Sequence, residues 1–266
     1  MNRIEKTFKT LKEKREKALV GFVTAGDPNI EDSLRIVKRM CEAGVDVLEL
    51  GVPFSDPTAD GPVIQRSSLR ALKQGVNLKT VLEMTNNIRE TTDAPIILFS
   101  YYNPILSYGA ESFYQDSIEA GADGVLVVDL PPEESEEMTD QWPGNALALI
   151  RLIAPTTPAE RAAQIAQSAS GFIYLVSKTG VTGSSGLDQK EIGVQTESLR
   201  AYTDLPICVG FGISTSEDVA AVASTADGVV IGSAFERLIE ENLENPDLAA
   251  MMAKKVSSLK SATKIQ

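Results

Sequence analysis

CEAGVDVLELGVP at 41–53 and IEAGADGVLVVDLP at 118–131 decide how this chain folds. Both pass from a helix end through Gly and Asp into a run of Val and Leu and close on Pro; STADGVVIGS at 224–233 is a weaker third copy. A glycine ends a helix well because a left-handed backbone costs it little. The repeated unit is therefore a strand joined to a helix. Apolar runs of the same kind recur at 18–25, 45–51, 94–100, 124–130, 146–153, 171–177, 206–212 and 227–233. Most are apolar almost throughout, the pattern of parallel strands covered on both faces. Amphipathic stretches separate them, among them Ile30 to Glu42, Leu78 to Glu90, Glu111 to Glu119, Pro158 to Gln167 and Thr215 to Ala223. Capping residues precede two of these: Asp27-Pro28 before Ile30, and Ser214 or Ser216 before Glu217 and Asp218. Eight βα units in about 250 residues predict a (β/α)₈ TIM barrel. Ile4, Phe8 and Leu11 recur at helical spacing, so residues 1–17 are expected to form an extra helix packed on that barrel. With no linker composition, residues 1–266 are expected to form a single domain. An open doubly wound sheet is the rival, weakened by eight strands and by the lack of a GxGxxG turn.

Composition narrows the chemistry. The chain has 266 residues, 25 Lys and Arg against 37 Asp and Glu, and a net charge of −12. That charge argues against a broad grip on nucleic acid or on an anionic membrane. There is no histidine, so Ser-His-Asp triads and His-ligated metals are excluded, and acid–base work falls to Asp, Glu, Tyr, Lys or Cys. The two cysteines, Cys41 and Cys208, lie in apolar stretches and read as buried reduced thiols. No run approaches the ~18 apolar residues of a membrane span, and the N-terminus lacks the apolar centre of a signal peptide. The expected address is the cytoplasm.

In this fold the site lies just past the C-terminal ends of the strands. Glu49 shares its strand parity with Val45 and Val47; if those point into the barrel, so does Glu49. A carboxylate in an apolar mouth has its pKa raised and suits acid–base work near neutral pH. The loop at 52–62 carries three prolines, Gly61, and the second-carboxylate candidates Asp56 and Asp60. Turn or cap roles are the common fate of such aspartates. After the sixth run, residues 178–186 hold three glycines and four hydroxyl residues, a lid or anion cradle by composition. After the seventh and eighth runs come Gly210-Phe211-Gly212-Ile213-Ser214 and Gly232-Ser233-Ala234. Glycine turns at these two strand ends, with a helix start, form the phosphate site of many barrels. Tyr101-Tyr102-Asn103-Pro104 offers aromatic walls, and Phe22 and Tyr174 lie within strands. These residues suggest a phosphorylated substrate with an apolar ring.

LELGVPFSDPTADGP at 48–62 closely resembles the signature of the tryptophan synthase alpha subunit family. TAGDP at 24–28, YYNP at 101–104, GVTG at 180–183, GFGIS at 210–214 and IGSA at 231–234 follow in that family's order. The resemblance implies a lyase that splits indole-3-glycerol phosphate into indole and glyceraldehyde 3-phosphate by retro-aldol cleavage, with no metal or cofactor, in tryptophan biosynthesis. It makes Glu49 the acid–base residue and Asp60 the partner of the ring N–H. It places Phe22, Tyr174 and Phe211 about the ring, Gly183, Gly212, Gly232 and Ser233 on the phosphate, and Thr182 on a loop that orders Asp60. It also implies a beta subunit that uses pyridoxal phosphate, in an α₂β₂ heterotetramer, facing segments 53–62 and 178–190. Three other readings stay open. Lys178 could form a Schiff base, the barrel could serve only to bind a partner, or the lyase could act alone.

Overall fold

The computed structural model describes residues 1–177, 189–210 and 212–264. In chain order the elements are α1 (Arg3–Glu13), β1 (Ala18–Thr24), α2 (Ile30–Ala43), β2 (Val47–Gly51), α3 (Pro62–Lys73), α4 (Leu78–Arg89), β3 (Ile96–Ser100), α5 (Tyr102–Tyr108) and α6 (Ala110–Glu119). There follow β4 (Gly124–Val127), α7 (Glu136–Thr139), β5 (Ala148–Ile153), α8 (Ala159–Gln167), β6 (Ile173–Val176), α9 (Gln189–Arg200), β7 (Ile207–Gly210), α10 (Ser216–Ala223), β8 (Gly228–Ile231), α11 (Ser233–Glu240) and α12 (Leu248–Ser261). The eight strands close into a barrel in sequence order, β1 pairing with both β2 and β8. Each pairing is parallel, with Phe22 beside Glu49 and Glu49 beside Ile97. The TIM barrel read from the sequence is the observed fold.

Strand alternation divides the core in two. Ala18, Val20, Val47, Ile97, Leu126, Ile150, Cys208 and Val230 form one cluster, inside the barrel. Their neighbours Leu19, Leu48, Leu98, Val125, Leu149 and Val209 pack outward with helix residues such as Ile36, Met40 and Val81. Period-two strands facing helices on one side and one another on the other require both sets to be apolar. Val47 lies inside as parity predicts, but Val45 belongs to the outer cluster. It precedes β2, where the pleat has not begun, so it carries no information about the direction of Glu49.

The N-terminal helix is shorter than expected and has a definite place. Asn2 caps α1, accepting from Glu5 N–H at 2.9 Å while the Glu5 carboxylate accepts from Asn2 N–H. Ile4, Phe8 and Leu11 then enter the inner cluster at the starts of the strands, with Phe8 and Phe172 ring centroids 5.9 Å apart. Arg3 reaches Asp123 at 3.0 Å, ahead of β4. The helix is a stopper in the bottom of the barrel.

Two cap assignments move by one or two residues. Asn29, not Asp27, caps α2, and Thr215, between the two serines, caps α10 in a box with Asp218. Cys208 is buried as expected, while Cys41 is partly exposed; both are free thiols. Among the described residues no helix is long and apolar enough to cross a membrane.

Candidate active site

At the top of the barrel is a cavity of about 540 Å³. Inward residues at the strand ends form its wall: Phe22, Glu49, Phe99, Val128, Leu152, Tyr174 and Val230. Residues 59–64 lie on one side; Gly212, Ile213, Gly232, Ser233 and Arg237 lie on another. Phe22 and Phe99 meet edge to face at 5.1 Å. Small residues make room for these rings. A Cβ on Gly210 would sit 2.5 Å from the Tyr174 hydroxyl, and one on Gly51 would sit 2.7 Å from the Phe22 ring.

Glu49 is 1% exposed, and its Oε1 has no hydrogen-bond partner. Burial among apolar walls disfavours the anion and pushes its carboxyl up to about 8. At neutral pH it therefore holds a proton, yet can release it within a unit or so of that pH. Asp60 differs. The loop that carries it turns through Asp60 N–H to Pro57 C=O at 3.1 Å, and Gln65 Nε2 holds the Asp60 carbonyl at 2.8 Å. Tyr101 donates its hydroxyl proton to Asp60 Oδ2 at 3.0 Å while accepting from Ala59 N–H at 3.0 Å. Desolvation raises the Asp60 carboxyl and the Tyr101 bond opposes that rise. Asp56, weighed equally with Asp60 from sequence, is exposed, bonded to Ser55 at 2.5 Å and outside the cavity wall.

The opposite side is polar through its backbone. Gly212 takes a positive φ of 74°, a conformation that favours glycine. Gly232 is the N-cap of α11 and makes no side-chain cap bond. The first N–H groups of a helix have no partner inside it, and here the helix start borders the cavity. That arrangement favours an anion.

The structure thus brings Glu49, Asp60, Phe22, Tyr174, Gly212, Gly232 and Ser233 to one cavity. Thr182, Gly183 and Phe211 lie outside the described residues, as does Lys178, the lysine of the Schiff-base alternative. Sequence reasoning missed the Tyr101 hydroxyl as the orienter of Asp60, having read that segment only as an aromatic wall. It also missed Phe99 and Leu152, which their parity with Ile97 and Ile150 would have found. Arg237 was missed although it falls four residues after Ser233, on the same helical face.

The family model for the tryptophan synthase alpha chain matches residues 8–264. The chain belongs to the tryptophan synthase alpha chain family. The tryptophan synthase alpha chain of Desulfosudis oleivorans is 66% identical over 265 residues, 100% of each chain. Among solved structures, tryptophan synthase subunit alpha of Legionella pneumophila superposes with a TM-score of 0.90 at 42% identity, covering 99% of this chain and 98% of that one. A structure of Mycobacterium tuberculosis tryptophan synthase matches with a TM-score of 0.90 at 29% identity, over 100% and 99% of the two chains. As a tryptophan synthase alpha chain homologue, the protein is a carbon–carbon lyase of tryptophan biosynthesis, and its alpha reaction cleaves indole-3-glycerol phosphate to indole and glyceraldehyde 3-phosphate.

Proposed function

We propose that Glu49 and Asp60 carry this cleavage in the cavity at the barrel mouth. The observation that supports it best is Glu49 itself: buried, partnerless at Oε1, protonated at neutral pH and walled by Phe22, Phe99 and Tyr174. The indole ring lies between these apolar walls. The neutral Glu49 carboxyl gives its proton to the ring carbon that bears the glycerol chain, which places positive charge on the ring nitrogen. Asp60, oriented by Tyr101, accepts a hydrogen bond from the ring N–H and stabilises that charge. The Glu49 carboxylate then takes the proton of the adjacent hydroxyl. As its C–O bond becomes C=O, the bond to the ring breaks and the pair returns to the ring. Glu49 ends protonated and the products are indole and the aldehyde.

The phosphate binds at the other side of the cavity, on the N–H groups around Gly212, Gly232 and Ser233. Backbone donors let a chain of net charge −12 bind an anionic substrate without a cluster of cations. Gly183 on the phosphate, Phe211 on the ring and Thr182 beside Asp60 complete the expected set. No cofactor takes part in this scheme.

The partner in this reading is a beta subunit, in an α₂β₂ assembly, contacting segments 53–62 and 178–190. Its support is family membership, together with the exposure of Ser55, Asp56 and Thr58 close to the cavity loop. The cytoplasm, where Cys41 and Cys208 stay reduced, is the setting it implies. The test is indole release from indole-3-glycerol phosphate with and without a cognate beta subunit. Slow release alone and a large rise with the partner support the coupled reading. Fast release alone points to an independent lyase, and no release in either case rejects the assignment of the site.

A further inference from the structure

Close to the cavity, between Ser233 and Arg237 of its lining, the chain carries a second buried carboxyl that the reaction scheme does not use. Glu236 sits in the first turn of α11, three residues after Ser233, and is 0% exposed. Its Oε1 accepts from Thr24 N–H at 2.5 Å, and its Oε2 has no donor. The Glu236 side chain interacts with that of Asp27, itself 1% exposed. Arg70 feels the charge of Glu236 but makes no hydrogen bond to it. Arg70 spends Nε and Nη2 on Asp27, at 2.7 and 2.8 Å, and Nη1 on Glu240 at 3.0 Å. Arg66 is likewise taken up by Glu240. A buried carboxylate with no cation hydrogen-bonded to it, beside a second carboxylate, does not stay ionised. Burial first, and Asp27 second, push the Glu236 carboxyl well above the carboxylate range.

We propose that Glu236 is a positioning residue for the phosphate end of the site, held as the neutral acid and tying the first turn of α11 to the β1 loop through Thr24 and Asp27. One carboxyl oxygen accepts from the Thr24 N–H and the other, protonated, donates to the Asp27 carboxylate. The tie matters because of what each end carries. Ser233 and Gly232 border the cavity at the start of α11, and Phe22, two residues before Thr24, borders it from β1. The third member is α3, which begins directly after the Asp60 loop. It is joined to the same point by Arg70 on Asp27 and by Ser67 on Thr24, hydroxyl to hydroxyl at 2.7 Å. The strap therefore fixes the phosphate side relative to the ring side without touching either. It rests on the phosphate assignment made above.

The test compares E236Q and E236L with the wild type, reading indole release and the Kd of inorganic phosphate. Glutamine keeps an acceptor for Thr24 and a donor for Asp27, so E236Q stays within about twofold of the wild type in both. Leucine leaves the Thr24 N–H unpaired, so E236L weakens phosphate and raises KM about tenfold while kcat changes little. Unchanged phosphate affinity in E236L overturns the positioning role. E236Q as weak as E236L overturns the neutral acid. A wild type that binds no phosphate contradicts the phosphate assignment itself and removes this inference with it. If E236L does not fold, the infrared difference between wild type and E236Q at neutral pH still decides. The carbonyl stretch of a neutral carboxylic acid, lost in E236Q, supports the strap; a lost carboxylate band contradicts it. Glu49 is common to both spectra and cancels.

Discussion

The two ends of the barrel use the same strands and reach opposite outcomes. At the bottom α1 closes the bore with Ile4, Phe8 and Leu11, and the buried carboxylate there is paired: Arg3 and Arg89 both reach Asp123, at 3.0 and 2.6 Å. At the top, among the described residues, no helix lines the cavity except by its first residues. Glu49 keeps a buried oxygen without a partner, and α11 begins without a side-chain cap. Buried polar groups are nearly always paired in folded proteins. A fold that pairs Asp123 at one end and leaves Glu49 open at the other is what the proposed site requires, with stability in the first and chemistry in the second.

The sharpest way to break this contrast is Glu49→Gln, which removes the transferable proton but keeps the shape. Lyase turnover should fall on the order of 10³- to 10⁴-fold, the upper range for positioned acid–base groups, with inorganic phosphate binding retained. Stability should move the other way. The folded protein keeps the Glu49 proton up to about pH 8, whereas the unfolded chain loses it near the ordinary 4.5. Stability of the wild type therefore falls relative to Glu49→Gln as pH rises from about 4.5 to about 8, by roughly 4 kcal/mol in total. Urea melts of both proteins at the two ends of that window measure it. Equal pH dependence would mean that Glu49 is not held protonated by the fold.

Asp60→Asn should cost roughly 10²- to 10³-fold in turnover through lost charge stabilisation at the ring nitrogen, with melting unchanged. At the bottom the signature reverses. Ile4→Ala should destabilise by about 2–4 kcal/mol in chemical denaturation and leave kcat for indole release intact. A mutant with normal stability and poor turnover would erase the division of labour between the ends. The smallest effect is expected for Tyr101→Phe. Losing one hydroxyl that both donates to Asp60 and accepts from Ala59 should lower kcat/KM about five- to tenfold.

Much of this was legible in the chain because the controlling patterns are local. The eight strands follow from Val, Ile and Leu runs, and the site's place follows from the fold. Glu49 was found by parity, though only Val47 deserved to be counted. Apart from the family signature, which singles out Asp60, the asymmetry between Asp56 and Asp60 was not legible, since both sit beside Pro or Gly in the same rigid loop. It depends on Tyr101, about forty residues on, reaching across from the end of β3. The buried tie from Glu236 to Thr24 spans 212 residues and leaves no local trace. In sequence Glu236 is one more acid in a helix's first turn, where such residues usually face water. The family signature at 48–62 carried the reaction from sequence to prediction; composition and periodicity alone reached only a phosphorylated, ring-bearing substrate.

The account stands on Glu49 being a neutral acid at the pH at which the lyase works. The direct measurement is a ¹³C NMR titration of the glutamate side-chain carboxyls, with the Glu49 resonance assigned by its absence in Glu49→Gln. A midpoint near 8 is the predicted result. A midpoint near the ordinary 4.5 would make Glu49 an anion throughout the working range, and would contradict its role as the group that protonates the ring.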